Sequence, residues 1–319
     1  MISVFGGHQM WQRSTKISTT GNALCEWRIM LFMRVSTRTI RVPIYVLVMS
    51  LATCALVAMV VAQQGNSGHR AEVCDRDEQV CFLVAKRETE NSAKAVKLEA
   101  FLKQYPDSVH KEEALEVLVD TYERLGNLAE VEATTDRLLQ DNPDNLLGLW
   151  SKAKLFRYTD AGQLGNYQRN LELAKLGLRR VGEVSKPQEM NPADFDKQRS
   201  EMSLTFNSVA GSAALKMKDF YSAQHYLRAA VDSDPDDFGN VYQLALAYLL
   251  SEPAEPTQGL FFVARAENLA PTASREKLDV YGKEQCIRYY DSDRSWPLIK
   301  ATAKTHTTPP SGFTIDRLK

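Results

Sequence analysis

Lys111 to Asn145, KEEALEVLVDTYERLGNLAEVEATTDRLLQDNPDN, reads as two short helices and a stop. In the first, Leu115, Leu118, Val119, Tyr122 and Leu125 recur at helical spacing and make one face apolar. Gly126-Asn127 breaks the pattern, as a C-terminal glycine followed by a turn would. The second helix carries Leu128, Val131, Leu138 and Leu139, and Asn142-Pro143 ends it. Neither helix can bury its apolar face alone, so each must pack on a neighbour. That requirement is the logic of a helical repeat.

The marks within this stretch are Leu115-x2-Leu118-Val119-x2-Tyr122, then Val131-x3-Thr135, then Pro143. Their spacing resembles one 34-residue tetratricopeptide repeat. The residue types depart at three places: Leu115 for the usual Trp, Val119 for Gly, and Thr135 for a large aromatic. Recurrence strengthens the likeness. Asp77 to Tyr105 reads as an earlier helix pair marked by Val80, Phe82, Leu83 and Val84, then Val96, Leu98, Phe101 and Leu102. Leu146 to Tyr158 and Leu164 to Val181 read as a degenerate third pair. Ser185 to Asp194, with two prolines, reads as a loop before a longer helix, Phe195 to Met217. Ala223-x3-Leu227 and Val241-x2-Leu244-Ala245-x2-Tyr248 mark the next units. Thr272 to Tyr290 has the place of a capping helix. Pro106 to Pro143 is 37 residues and Pro235 to Pro271 is 36, close to the repeat length plus a short insertion. The fold class expected is all-α: a tetratricopeptide-like helical-hairpin solenoid of about five helix pairs plus a C-terminal capping helix, over residues 72–290.

The chain has 319 residues, 25% charged and 44% apolar, the composition of a globular protein. Its formal charge of -1 is unevenly spread. Residues 1–62 hold six Lys/Arg and one acid. The remainder therefore keeps 33 of the 39 basic residues and 39 of the 40 acidic ones, a net of -6. A mildly acidic body speaks against nucleic acid as a partner.

Val42 to His69 contains no Lys, Arg, Asp or Glu, and its apolar heart runs from Val42 to Ala62 behind Arg34, Arg38 and Arg41. Residues 33–62 read as a signal peptide, with Val60-x-Ala62 as cleavage site, or as a retained transmembrane helix. Either reading places the body outside the cytoplasm, periplasmic or anchored to the membrane by residues 42–62, with membrane contact only through that segment. Residues 1–32 show no period and read as disordered or as a misassigned start, with Met33 as the true one. Residues 63–71 read as a linker. Cys74 and Cys81 form a disulfide only if Cys74 lies on a folded-back loop, since seven helical residues span about 10 Å. Whether they pair stays open, and Cys286 reads as a small buried hydrophobe. After residue 290 the tail reads as a C-terminal extension, 291–319, with a short helix at Trp296-Pro297-Leu298-Ile299 and an extended arm rich in Thr, Pro and Gly.

The junction Ala100 to Asn127 resembles repeat junctions of envelope tetratricopeptide proteins, including outer-membrane assembly lipoproteins and periplasmic coordinators of cell division. The run Tyr281 to Ile315 resembles the C-terminal ends of exported bacterial tetratricopeptide proteins. The resemblance implies an exported, non-catalytic interaction scaffold that binds a protein or peptide in its concave groove. The alternative is an outer-membrane or cell-envelope assembly factor of the tetratricopeptide lipoprotein type. An enzyme whose site is invisible in the sequence is a remote third reading.

No catalytic, cofactor or metal signature stands out. Asp232 to Asp237, DSDPDD, imitates the start of a calcium loop but has Asp237 where Gly is needed and Gln243 where the bidentate Glu belongs, so it reads as a turn that caps the next helix. The five His residues are scattered, with none at ligand spacing to a Cys or another His. Glu113, Glu116, Asp120 and Glu123 step by three and four and form one acidic stripe. It reads as a groove for a basic peptide, or as a solvated helix face. Trp150, Lys154, Arg157 and Tyr158 occupy the corresponding face of the next repeat, and Tyr242 the later counterpart. Aromatic and cationic side chains are common interface anchors. Together these nine residues are the expected partner-binding set.

Overall fold

The computed structural model describes residues 74, 77–158 and 164–315, so the expected leader, residues 33–62, lies outside the described residues. Twelve helices follow one another in the described part: α1 (Glu78–Lys86), α2 (Asn91–Gln104), α3 (Lys111–Leu125), α4 (Leu128–Asp141), α5 (Leu146–Tyr158), α6 (Leu164–Glu183), α7 (Pro192–Lys216), α8 (Phe220–Ser233), α9 (Phe238–Leu250), α10 (Pro256–Leu269), α11 (Thr272–Tyr290) and α12 (Trp296–Thr305). None is long and apolar enough to cross a membrane. Each of the first eleven packs on the next. The expected class, all-α helical hairpins stacked as a solenoid, is the one observed.

Two local devices recur and explain the hairpins. The first is the corner within a pair. Gly126 lies in the left-handed region (φ 68°), Asn127 N–H reaches back to the Tyr122 carbonyl at 3.1 Å, and the Asn127 side chain caps α4 by accepting from Glu130 N–H. Lys218 (φ 64°) and Asp219 repeat the corner between α7 and α8: Asp219 N–H reaches the Ala214 carbonyl at 2.9 Å, and Asp219 caps Ser222 N–H. The second device is the turn between pairs. Tyr105-Pro106-Asp107-Ser108, Asn142-Pro143-Asp144-Asn145 and Asp234-Pro235-Asp236-Asp237 each close with the fourth N–H donating to the first carbonyl. Proline removes the donor that would continue the helix. The imitation calcium loop is therefore an inter-repeat turn, with Asp237 capping α9 at Asn240 N–H.

The layering follows from which helices touch. The first members of successive pairs touch in series: α1 with α3, α3 with α5, α5 with α7, and α7 with α9. The second members α2, α4, α6, α8 and α10 make no such contact with one another among the described residues. The first members thus form the inner, more crowded layer of a curved array, and the second members the outer one. Three apolar clusters fill it. One spans α1 to α4 around Phe82, Leu98, Leu115 and Leu118, one lies around Phe206 and Ala210, and the largest joins α7 to α12 around Leu244, Phe261 and Phe262.

Several residues differ from the sequence reading. Leu125 and Leu128 flank the Gly126 corner and are 42% and 57% exposed, because a tight corner carries its flanking side chains out of the interface. Val80 and Val84 of the first helix are exposed too. Tyr122 is half-buried. α7 begins at Pro192, inside the expected loop: proline suits the first helical position, and Asn191 caps the helix at Ala193 N–H.

The end of the chain is the largest difference. α11 takes the cap position, but α12 also packs on α10, with Trp296, Ile299 and Ala303 buried. The described residues beyond it, 306–315, fold back instead of forming an extended arm. Phe313 stands edge-on to Phe261 at 5.6 Å between centroids, and Ile315 joins the same cluster. Two aromatic and aliphatic side chains in a Thr/Pro-rich tail suffice to fold it back.

Candidate interaction surface

The expected partner-binding residues lie along the inner layer, and most already have partners within the chain. Glu113 on α3 is bound by Lys86 of α1. Asn145 is 6% exposed and serves both sides of a joint: its Oδ1 caps α5 by accepting from Gly148 N–H at 2.8 Å, while its Nδ2 donates to Glu112 at 2.7 Å and to Glu116 at 2.6 Å. Burial pushes the Glu116 carboxyl above its ordinary range, and the charges of Glu112 and Glu113 push the same way, while the Asn145 bond opposes them. Glu123 accepts from Lys154 Nζ at 2.7 Å and from Ser151 Oγ at 2.8 Å, both on α5. Asp120 alone of the stripe pairs within its own helix, with Arg124 at 2.8 Å. The stripe therefore works as a seam that ties α1, α3 and α5.

Trp150 and Lys154 extend the seam. The Lys154 ammonium sits 4.2 Å from the centre of the Trp150 ring, and Trp150 Nε1 donates to Thr205 Oγ1 on α7 at 3.2 Å. Glu123, Lys154, Trp150 and Thr205 thus form one chain of contacts across three inner helices. Arg157 and Tyr158 close α5, and their side chains lie outside the described residues. Tyr242 is set apart from this group. It stacks on Phe238, one turn earlier on α9, at 6.0 Å and 7° between planes.

Sequence reasoning overlooked the rest of the α9 face. α9 reads FGNVYQLALAYLL and contains no charged residue. Beside Tyr242 it turns out Leu246, half-buried, and Leu250, 45% exposed. The absence of charge over a whole inner helix was the signal available. It was passed over because an apolar helix reads as core. Among the described residues no group of three or more His, Cys, Asp or Glu is placed to hold a metal ion.

No protein-family model matches the chain. No curated protein matches it either. Among solved structures it is similar to a thermophilic tetratricopeptide-repeat protein of Thermus thermophilus, at 18% identity and a TM-score of 0.29, over 66% of this chain and all of that one. A likeness at that level carries no argument, and the architecture rests on the helix contacts given above.

Proposed function

We propose that the protein is a non-catalytic scaffold of the cell envelope that holds a protein or peptide partner along its inner helix layer. The observation that carries the reading is the series of contacts among α1, α3, α5, α7 and α9, which makes one continuous surface from five separate pairs. Stacked hairpins build such extended surfaces, and each added pair lengthens them without a closed pocket. The disulfide between Cys74 and Cys81, with Cα atoms 5.8 Å apart, supports the envelope address, since such bonds persist in oxidising compartments. The basic flank and apolar run before it support the same address.

Site-specific photo-crosslinking in cells tests this reading. A photoreactive residue at Asp120 or Leu250, on the inner layer, should yield adducts with a discrete partner. The same residue at Ala133 on α4 or His225 on α8, exposed on the outer layer, should not. Adducts confined to the outer positions would overturn it. An enzymatic reporter that works only outside the cytoplasm, fused after Lys319, tests the address.

A further inference from the structure

α11 ends the series of hairpins and keeps one face uncovered. It packs on α10 and touches α12, and no other helix among the described residues. Ser274, Leu278, Gly282, Cys286 and Tyr290 form its buried side. The opposite side carries Ala273, Val280 and Ile287, each seven residues from the next and all exposed, Val280 by 49% and Ile287 by 52%. Charges flank this row in alternation. Glu276 and then Lys283 run along one flank, Lys277 and then Glu284 along the other. Among the described residues Glu276, Lys277 and Glu284 make no ion pair, while Lys283 holds Asp279 of its own helix at 2.7 Å and keeps donors to spare.

We propose that this face of α11 binds the same face of a second copy of the chain, antiparallel about a two-fold axis at Val280. The alternation of charge selects the partner. Each flank holds one acid and one base, so a segment of uniform charge meets repulsion on both flanks. A second α11 carries the complementary pattern. With the axis at Val280, the two Val280 side chains meet, and Ile287 of each copy lies level with Ala273 of the other. On one flank Glu284 comes within one residue of the level of Lys277 of the second copy, and on the other flank Lys283 does the same with Glu276. The two-fold repeats both pairs, and the contact is closed, since the same patch serves both copies. Arg288, over the Tyr289 ring, falls level with Thr272 of the second copy and meets no like charge. One helix face is smaller than a standard interface, so the dimer is a weak one that forms as protein concentration rises. It does not depend on what the inner layer holds.

Sedimentation equilibrium of the full chain over a range of micromolar loadings tests the proposal. The parent should follow a monomer–dimer equilibrium. Lys277→Glu sets an acid against Glu284 of the second copy and should weaken the dimer at least about tenfold. Glu284→Lys should do the same by setting Lys against Lys277. Lys277→Glu and Glu284→Lys together make the pairs opposite again and should restore association to within about threefold of the parent. Both positions are exposed, so thermal unfolding of dilute protein should be the same for all three variants. A chain that stays monomeric at every loading would overturn the proposal. So would single reversals without effect, which would place any self-association on another part of the chain. A double reversal that fails to restore the dimer would overturn it too, because parallel helices would set Lys277 against Glu276 and Glu284 against Lys283, and the double reversal would then repel at both.

Discussion

Trp296 rests directly on Gly282. A Cβ atom at position 282 would lie 2.2 Å from the Cη2 and Cζ2 atoms of the indole. The ring is 1% exposed, and its Nε1 donates to Asp279 Oδ1 at 2.9 Å, one turn before Gly282 on α11. Lys300 of α12 also reaches Asp279, at 2.7 Å, and Glu267 of α10, at 2.6 Å. One glycine, one indole and the polar network of Asp279, Lys300 and Glu267 thus fasten the last two helices to the solenoid.

Gly282→Ala is expected to lower stability by about 1–3 kcal/mol, the range for overfilling a packed site. Trp296→Ala should cost about 3–5 kcal/mol. Denaturant unfolding with an unchanged slope measures both. A Gly282→Ala midpoint equal to that of the parent would mean that α12 is not seated on α11.

Asp279 and Glu116 should give opposite pH responses. Bonds from Lys283 and then Lys300 hold the Asp279 carboxyl well below its ordinary 3.8. A depressed carboxyl contributes stability above the unfolded value and loses it as pH falls through the folded one. Asp279→Asn should therefore flatten the decline of stability below about pH 4 and destabilise at neutral pH by about 1–3 kcal/mol. The Glu116 pKa is raised from 4.5, chiefly by burial. Its contribution is present below 4.5 and is lost as pH rises through the folded value. Glu116→Gln should remove that loss. Thermal unfolding across the acid range separates the two, and parallel curves for both variants would contradict the assignment.

The corner at Lys218 repeats the corner at Gly126 with the wrong residue for its backbone. Both have φ near +65° (64° and 68°). A side chain in this region crowds the following carbonyl, and glycine does not. Lys218 is exposed, so its replacement removes no packing. Lys218→Gly should stabilise by about 1 kcal/mol, the relief of left-handed strain less the added freedom of glycine in the unfolded chain. Gly126→Ala should do the reverse. A destabilised Lys218→Gly would show that the Lys side chain matters to the corner.

The hairpins were legible because their signals are local. Gly126-Asn127 and the Pro-Asp turns declare themselves within four residues, and the apolar period of α3 and α4 falls within one helix each. The acidic stripe was visible as a stripe, but its use was not. The donors that claim Glu116 and Glu123 are Asn145 and Lys154, about thirty residues on, and only a folded inner layer brings them together. Tyr122 shows the same limit. Its spacing places it on the apolar face, yet its ring is half-buried, and burial together with the charge of Glu99 pushes its phenol above the ordinary range. Gly282 and Trp296 carry no mutual sequence signal, since a glycine within a helix says only that something approaches closely.

The cysteines provide a last prediction, one that joins fold to address. Cys74 precedes α1, its carbonyl accepts from Gln104 Nε2 at 3.0 Å, and its sulfur is bonded to Cys81. Their Cα atoms are 5.8 Å apart, closer than seven residues of straight helix would leave them. Cys286 is free and fully buried on α11, and burial pushes its thiol up to about 12, so it is a poor nucleophile in the folded protein. Protein taken from cells under acid quench, denatured and alkylated, should therefore gain two further labels only after reduction, and peptide mapping should place both at Cys74 and Cys81. In the native protein, Cys286 should resist alkylation until the solenoid unfolds. Two labels acquired without reduction would mean that these thiols are never oxidised in the cell, and the envelope address would lose its structural support. Ready labelling of Cys286 in the native protein would mean that α11 does not stay packed on α10.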